Sequence, residues 1–337
     1  MAREKNESGD STRTVVVAVI ANAAIAVAKT VAALLTGSAS MWAEAAHSAA
    51  DTGNEVLLFV GLHRSKRAPD ERHPFGYGQE RYFWTFLAAL GIFLIGGTLS
   101  IGEGVRSLLA PEPLESLWVG IAVLVVAFVF ESYSWHTARK QLRAESRERQ
   151  RSMAEHLRRA SDPSATTVFL EDTAALIGLV VALAALLLHA ATGWAGWDAI
   201  GSMSIGVLLI VVAYLLAGRS KTLLLDESAP PDVLEPIRAR VAGADWVGEV
   251  RDLHAVYVGP SSLLVNVRVT ATAASAREPA ADLVGRISRL RAGLLGDSAI
   301  THVAVTVDED LTHVAVTVDE DLTHVGVRVD EDSAEPR

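Results

Sequence analysis

The chain of 337 residues is 50% hydrophobic but only 6% aromatic, and its mean hydropathy is +0.29. A soluble protein of this length would normally be more polar, so the composition favours a membrane protein. The formal net charge of −10 argues against a nucleic-acid-binding protein, which would carry a basic surplus. The absence of cysteine excludes disulfides, thiolate metal sites and catalytic thiols.

Six segments are apolar over a length that can cross roughly 30 Å of hydrocarbon as a helix. They cover residues 14–36, 41–62, 83–106, 117–137, 167–190 and 198–218. The polar start of the chain is not followed by a small-residue cleavage site, so a cleaved signal peptide is not expected. We therefore predict a cytoplasmic N-terminal tail over 1–13 and a six-helix transmembrane transport domain over 14–218.

The loops between these segments predict the orientation in the membrane. Lys and Arg are concentrated in the loops 62–82 and 138–162, whereas the loops after the first, third and fifth segments contain neither. Since basic loops remain in the cytoplasm, both termini are expected to face it. The abundance of Ala, Val and Arg indicates a bacterial source and hence the bacterial plasma (inner) membrane, with a mitochondrial membrane as the alternative.

Residues 219–337 form an acidic segment, with 12 Lys and Arg against 20 Asp and Glu, a net charge of −8. Hydrophobic periodicity predicts helix, strand, strand, helix and strand in that order. These predicted elements cover 230–243, 249–259, 261–273, 280–296 and 299–310. We therefore predict a small α+β cytoplasmic domain over 219–310, with helices on one face of a sheet.

An internal repeat with a period of 11 residues fills 301–333, where THVAVTVDEDL occurs twice and THVGVRVDEDS follows. One interpretation is a metal-gathering tail, in which His302, His313 and His324 act together with the acidic triplets. The simpler interpretation is a duplicated last strand whose acidic ends are solvated, because one copy completes the sheet. The acidic repeat tail is assigned to 311–337.

The second apolar segment concentrates polar side chains that are costly inside a membrane, at about 2.5–3.5 kcal/mol for each charge at mid-helix. These side chains are Glu44, His47, Asp51 and Asn54. His47 and Asp51 are four residues apart and Asn54 follows after three, so they share one helix face, with Glu44 one turn nearer the outside. An imidazole and a carboxylate on adjacent turns can bind one divalent cation, with Asn54 and Glu44 as secondary candidates for ligands.

The fifth apolar segment supplies a second acidic group, Glu171 and Asp172, near its cytoplasmic end. If the two helices face each other, Asp172 joins His47 and Asp51 as a third ligand, and Glu171 or a water completes a tetrahedral site. The alternative is an intramembrane salt bridge or a capped helix end, for example with Lys29 of the first segment.

Three stretches carry a resemblance to a known family: SMWAEAAHSAADTGNEVLLFVGL, RHPFGYGQERYFWTFLAALGIF and FLEDTAALIG. Over residues 14–310 the chain resembles the cation diffusion facilitator (CDF) family, in the branch that contains the animal mitochondrial zinc transporter and its bacterial relatives. The resemblance implies a homodimer, a ferredoxin-like cytoplasmic domain, and metal export driven by inward proton flow.

The resemblance also implies roles for individual residues. His47 and Asp51 match the second-span ligand pair of the family, and Asp172 matches its fifth-span aspartate. The usual fifth-span partner, four residues earlier, falls on Val168, which cannot bind metal. Glu171 is therefore expected as the fourth ligand.

A secondary metal site found in some members corresponds to Asp70 and His73, but a usual second histidine there is Tyr77, so a weak site or none is expected. In the soluble domain the chain offers His254. Most other positions that bind bridging zinc in members of the family are apolar or Arg here, so metal regulation by this domain is not expected.

The sequence thus predicts an efflux transporter that exchanges a divalent cation, zinc first, for protons. Imidazole at His47 favours zinc over manganese or magnesium. The chain has no nucleophile-plus-base arrangement and no phosphate-binding glycine loop, so neither an enzyme nor an organic cofactor is expected. One alternative keeps the mechanism with Fe²⁺, Co²⁺ or Mn²⁺ as cargo. Another is a non-transporting membrane receptor or scaffold, in which His47 and Asp51 are dispensable.

Overall fold

A computed structural model of the chain describes residues 19–20, 22–111, 113–148, 151–159, 164–260, 262–308, 314–317 and 326–329. The described residues pack as two units. The first unit contains the described residues up to Arg67 together with Glu80–Leu224. The second contains Ala68–Gln79 and the described residues from Leu225 onward, so the loop after the second predicted span packs with the C-terminal sheet.

The first unit is helical throughout. Its helices are α1 (Asn22–Thr36), α2 (Ala39–Arg64), α3 (Glu80–Leu109), α4 (Leu117–Glu148), the short α5 (Met153–Arg159), α6 (Ser164–Thr192) and α7 (Gly196–Leu224). All six predicted spans fall on helices where the structure describes them. The prediction ended the fourth span at residue 137, whereas α4 continues as a helix to Glu148.

Four of the described helices are long and apolar enough to cross a membrane: α3, α4, α6 and α7. The described part of α1 is apolar but has only 15 residues, from Asn22 to Thr36. The second helix is long enough, but it carries a series of polar groups along its length, which lowers its hydropathy. The first unit is therefore a multi-pass helical membrane domain with four clear apolar spans.

A seam of small side chains joins α3 to α7. Ser202 donates a hydrogen bond of 2.7 Å to the backbone carbonyl of Ser100, and Gly206 faces the backbone of Gly97. Next to this seam α3 contains one π-helical stretch, Ile92–Gly97, in which the backbone widens by one residue. Small residues let two helix backbones approach closely, which is the usual way in which helices associate in lipid.

The second unit is a small α+β structure in the predicted element order: α8 (Pro231–Ala242), β1 (Val247–Gly259), β2 (Ser262–Ala271), α9 (Ala280–Leu295) and β3 (Ile300–Asp308). The sheet order is β1-β2-β3. The first two strands are antiparallel and the last two are parallel, so α9 forms the crossover between β2 and β3. Ile287 and Leu294 of α9 are buried.

The repeated tail is described only in short pieces. The first copy supplies β3, which completes the three-stranded sheet as predicted. Two further strands, β4 (Val314–Thr317) and β5 (Gly326–Val329), pair antiparallel with each other in a separate two-stranded sheet. His313 and His324 of the predicted metal-gathering tail lie outside the described residues.

Candidate metal-transport site

The start of α2 is fixed by hydrogen bonds to a carboxylate on another helix. Ser38 is the N-cap of α2, and its hydroxyl accepts from the backbone N–H of Met41 at 3.1 Å. The buried carboxylate of Asp198, in the first turn of α7, accepts from the hydroxyl of Ser38 at 2.7 Å and from the backbone N–H groups of Ala39 and Ser40. A carboxylate at a helix N-terminus satisfies its free N–H groups and complements its dipole.

This anchored helix carries a row of buried polar atoms without hydrogen-bond partners. Both ring nitrogens of His47, the hydroxyl of Ser48, Oδ1 of Asp51 and Oδ1 of Asn54 are all in this state. His47 is 1% exposed, and its Nδ1 lies 3.4 Å from Oδ1 of Asp51 without the alignment of a hydrogen bond. Each such atom costs about 1–3 kcal/mol when nothing binds it. His47, Asp51 and Asn54, which share the predicted ligand face of α2, therefore have free lone pairs.

The predicted acids of the fifth span lie beside this face. The amide of Asn54 donates to both carboxylate oxygens of Glu171 on α6. The neighbouring Asp172 accepts a hydrogen bond of 2.8 Å from the hydroxyl of Ser134 on α4. The Asp51 carboxylate lies close enough to Glu171 and Asp172 to interact with both electrostatically. Helices α2, α4 and α6 thus contribute to one polar centre.

Glu44, one turn before His47 on α2, is held in an ion pair. Its Oε2 is 2.9 Å from Nζ of Lys29 on α1, and both side chains are fully buried. The intramembrane salt bridge that the sequence offered as an alternative is thus formed by Glu44, whereas His47 and Asp51 stand outside it. One turn before Asp172 on α6, Val168 offers no ligand atom.

Two cross-helix contacts at the centre have no signal in the sequence spacing. The amide of Asn22 on α1 donates to Glu55 of α2 at 2.7 Å. Ser134 on α4 donates to Asp172. One turn before Ser134 lies the half-buried Glu131, which is within electrostatic reach of Asp51. Each pair joins residues that are 33 or 38 positions apart, so only tertiary packing identifies them.

Among the residues that the structure describes, no group of three or more His, Asp or Glu side chains is close enough to hold a metal ion. The four predicted ligands form two neighbouring pairs in this conformation. His47 lies against Asp51, and Glu171 lies beside Asp172, each with its own hydrogen-bond partner on another helix.

The secondary candidates Asp70 and His73 lie in the loop that packs with the second unit. Oδ1 of Asp70 accepts from the backbone N–H groups of Arg72 at 3.0 Å and His73 at 2.8 Å. Its Oδ2 accepts from the hydroxyl of Tyr77 at 2.6 Å. The Tyr77 hydroxyl, followed by the backbone N–H of His73, lowers the pKa of Asp70 below its ordinary value. Asp70 is therefore engaged as the acceptor of a hydrogen-bonded turn.

The other histidine named from sequence, His254, is exposed on β1 opposite Asn266 of β2. His302 of the first repeat lies on β3, where its ring meets the edge of Phe75 at a centroid distance of 5.0 Å. Among the described residues of the second unit, neither histidine belongs to a metal-binding group.

Comparison with known proteins identifies the family to which this helical unit belongs. Residues 15–225 match the family model described as "Cation efflux transmembrane domain". The chain is 34% identical over 257 residues to "Proton-coupled zinc antiporter SLC30A9, mitochondrial" of Xenopus laevis, covering 76% of this chain and 46% of that protein. The human protein of the same name is 34% identical over 247 residues, covering 73% of this chain and 44% of its own length.

Two more distant relatives come from a plant and a bacterium. "Metal tolerance protein C4" of Arabidopsis thaliana is 32% identical over 220 residues, which are 65% of this chain and 48% of that protein. "Cation-efflux pump FieF" of Escherichia fergusonii is 27% identical over 240 residues, covering 68% and 71% respectively.

The chain spans about half the length of the mitochondrial relatives that it matches. The family model supports an integral multi-pass membrane protein. The bacterial plasma membrane that the sequence predicted has no support, because those relatives are named as mitochondrial. The family model covers more than half of the chain and includes every helix of the polar centre. The chain belongs to the cation diffusion facilitator, or cation efflux, family of metal transporters.

Proposed function

We propose that this protein exports a divalent metal cation, with Zn²⁺ as the leading cargo, in exchange for protons. The family is one of transporters rather than enzymes, and two relatives are named proton-coupled zinc antiporters. The cargo site that we propose consists of His47, Asp51 and Asp172, with Glu171 as the fourth ligand.

The observation that carries this proposal is the set of buried lone pairs on α2. His47 and Asp51 each present atoms that are out of water and accept no hydrogen bond. A folded protein retains such atoms at a cost in stability, so a bound cation is the simplest way to satisfy them. Imidazole nitrogen and carboxylate oxygen are suitable zinc ligands.

Cargo binding has to draw the two pairs of side chains together. In the described conformation Asn54 holds Glu171 and Ser134 holds Asp172. A divalent cation between α2 and α6 would replace these neutral partners with a stronger electrostatic one. Asn54 keeps its free carbonyl oxygen close to Glu171, so it can follow the carboxylate or add a ligand atom.

Proton coupling follows from the same ligand set. His47, Asp51 and Asp172 bind the metal through lone pairs that also accept protons, so the two cargoes compete. In an alternating-access cycle, the ion binds from the cytoplasm and is displaced by protons on the outer side. Protonated side chains then return the empty site.

The remaining architecture is proposed from the family and the loop charges. We propose six spans, made by α1 to α4, α6 and α7, with both termini cytoplasmic. The second unit is proposed to be a ferredoxin-like cytoplasmic domain through which two copies associate as a homodimer. Asp70 and His73 are proposed as an accessory metal site, which a cation would occupy by displacing the Tyr77 hydroxyl.

Cargo identity is the finest level of the proposal. His47 distinguishes zinc, cobalt, nickel and cadmium from manganese and magnesium, which prefer sites made entirely of oxygen. Competition by each metal against radioactive zinc uptake would rank them. If manganese competed better than cobalt, the imidazole would not be a ligand.

Flux into proteoliposomes under an imposed proton gradient tests the proposed function. The purified full chain would be compared with Asp51→Ala and Asp172→Ala, with Gly102→Ala as a matched control because a Cβ at Gly102 meets no atom within 4 Å. We expect gradient-dependent zinc uptake in the wild type and in the control, and a loss of about 100-fold or more in both aspartate variants.

Two results would contradict parts of the proposal separately. Zinc flux that survives both aspartate substitutions would remove the site but leave transport. Folded wild-type protein that moves no zinc, cobalt, iron or manganese would remove transport altogether and favour a receptor or scaffold.

A further inference from the structure

The buried ion pair of Lys29 and Glu44 lies on the ligand face of α2, immediately beside the proposed cargo site. Glu44 precedes His47 by three residues, so their side chains occupy the same helix face one turn apart. The Lys29 ammonium also lies within electrostatic reach of Glu131 and Asp51. The pair therefore belongs to the same buried charge system as the cargo site.

Only one of the two Glu44 carboxylate oxygens accepts a hydrogen bond from the lysine. Its Oε2 contacts Lys29 at 2.9 Å, whereas Oε1 is buried and has no hydrogen-bond partner. Oε1 lies against α6 at Gly178, where any side chain would collide with it. His47, the next polar residue along the face, also has two free nitrogens. A cation at this point would find a carboxylate oxygen and an imidazole nitrogen.

Glu44 also lies in the direction of release. In the topology of the proposed function, α2 runs from its capped outer end at Ala39 to its cytoplasmic end at Arg64. Glu44 is thus between His47 and the outer end, about 4–5 Å along the axis from His47. An ion that leaves the site outward along this face passes Glu44 next.

We propose that Glu44 is the ligand of a second cation station on the outward side of the transport site, reached by an ion that leaves His47, and that the Lys29 ammonium occupies this station when no metal is there. This inference rests on the proposed function. Lys29 acts as a tethered cation: it neutralises the buried carboxylate in the empty protein and moves aside when a metal arrives. A divalent cation has twice the charge of the ammonium, so an ion that leaves the cargo site can displace the lysine from the carboxylate oxygen during its passage. At equilibrium the lysine is back on Glu44, so the wild type holds metal at the cargo site alone.

The test counts zinc ions bound per chain in purified full-length protein, by equilibrium dialysis against radioactive zinc. Lys29→Met removes the tethered cation and leaves Glu44 open, so we expect one more zinc ion per chain than in the wild type. The double variant Lys29→Met/Glu44→Gln should return to the wild-type number. Lys29→Arg, which keeps a permanent charge, should also match the wild type.

An unchanged zinc count in folded Lys29→Met, or an extra ion that persists in the double variant, would overturn the proposal. If Lys29→Met does not fold, Glu44→Gln decides the question in proteoliposomes. We expect its zinc flux to fall about tenfold or more with the zinc count unchanged, and an undiminished flux would overturn the second station. Wild-type flux measured alongside separates this outcome from failure of the proposed function, which would abolish flux in the wild type as well.

Discussion

The seam between α3 and α7 and the polar centre between α2 and α6 are built in opposite ways. In the seam, the hydroxyl of Ser202 donates to Ser100 and the backbones approach until no Cβ fits at Gly206. In the centre, His47 is 1% exposed and the Asp51 side chain 15% exposed, yet both carry buried polar atoms that no hydrogen bond satisfies. The seam is tightly packed and its hydroxyl is hydrogen-bonded, whereas the centre keeps polar atoms that no hydrogen bond satisfies.

This difference separates stability from function within one membrane domain. Close packing gains dispersion energy throughout the seam, and any added atom there forces a backbone shift. Unsatisfied buried atoms lower stability, so substitutions that remove them cost little in folding. Seam substitutions should therefore destroy the fold, and centre substitutions should destroy transport.

The largest expected effect is at Gly206. A Cβ there would lie 2.9 Å from the carbonyl oxygen of Gly97 and 2.9 Å from the backbone nitrogen of Ile101. Since neither backbone atom can move without the helix, Gly206→Ala should destabilise the domain by about 1–3 kcal/mol or prevent folding. Thermal unfolding in detergent measures this. Gly218→Ala on the same helix is the control, because its Cβ meets no atom within 4 Å, and it should be neutral or slightly stabilising.

The opposite behaviour is expected at His47. Replacing it with Leu removes two unpartnered nitrogens and preserves volume, so the unfolding temperature should stay the same or rise. Zinc affinity should fall about 100-fold or more, as measured by dialysis, because a proposed metal ligand is lost. Ser48→Ala, at the adjacent buried position, is the control and should keep wild-type affinity. A His47→Leu protein with a lowered unfolding temperature and an unchanged zinc affinity would contradict the contrast between seam and centre.

A smaller effect is expected where the two regions are joined. Asp198 begins the seam helix α7 and caps α2, so Asp198→Asn weakens charge-assisted hydrogen bonds to Ser38 and to the backbone of Ala39. We expect a loss of about 1–2 kcal/mol in stability, seen as a lower unfolding temperature, with zinc affinity retained. Asp282→Asn, exposed in the first turn of α9, should change stability by less than about 0.5 kcal/mol. Equal effects of the two substitutions would show that the cap is unimportant.

Periodicity in the sequence was enough to predict the helices and the element order of the second unit. Apolar runs mark α3, α4, α6 and α7 because lipid selects for them directly. The HxxxD spacing of His47 and Asp51 places both on one face of α2, since that relation lies within a single helix. Local patterns of this kind do not depend on how the helices pack.

Contacts between helices could not be predicted in the same way. Ser134 and Asp198 are ordinary residues at their positions, and only the packing of α4 on α6 and of α7 on α2 gives them partners. The π-helical stretch Ile92–Gly97 likewise depends on tertiary packing against α7. The pairing of Glu44 with Lys29 was foreseen only as an alternative, because spacing alone did not show which acid the lysine would choose.

The smallest expected effect concerns the Asp70 turn, where every polar atom that binds the carboxylate is supplied by its own loop. Tyr77→Phe removes the hydroxyl that donates to Asp70 but keeps the ring, whose centroid lies 4.2 Å from that of the His73 ring. The substitution therefore tests this hydrogen bond. The pKa of Asp70 should rise towards its ordinary value, which carbon-13 NMR titration of labelled aspartate would detect. In the wild type, the stabilisation that Asp70 provides is complete above the ordinary aspartate pKa and is lost as the pH falls through the lowered one. The substitution should therefore narrow the range between the lowered and the ordinary pKa of Asp70, so that the stabilisation is lost at a higher pH than in the wild type. An unshifted titration would assign the lowered pKa of Asp70 to the backbone N–H groups alone.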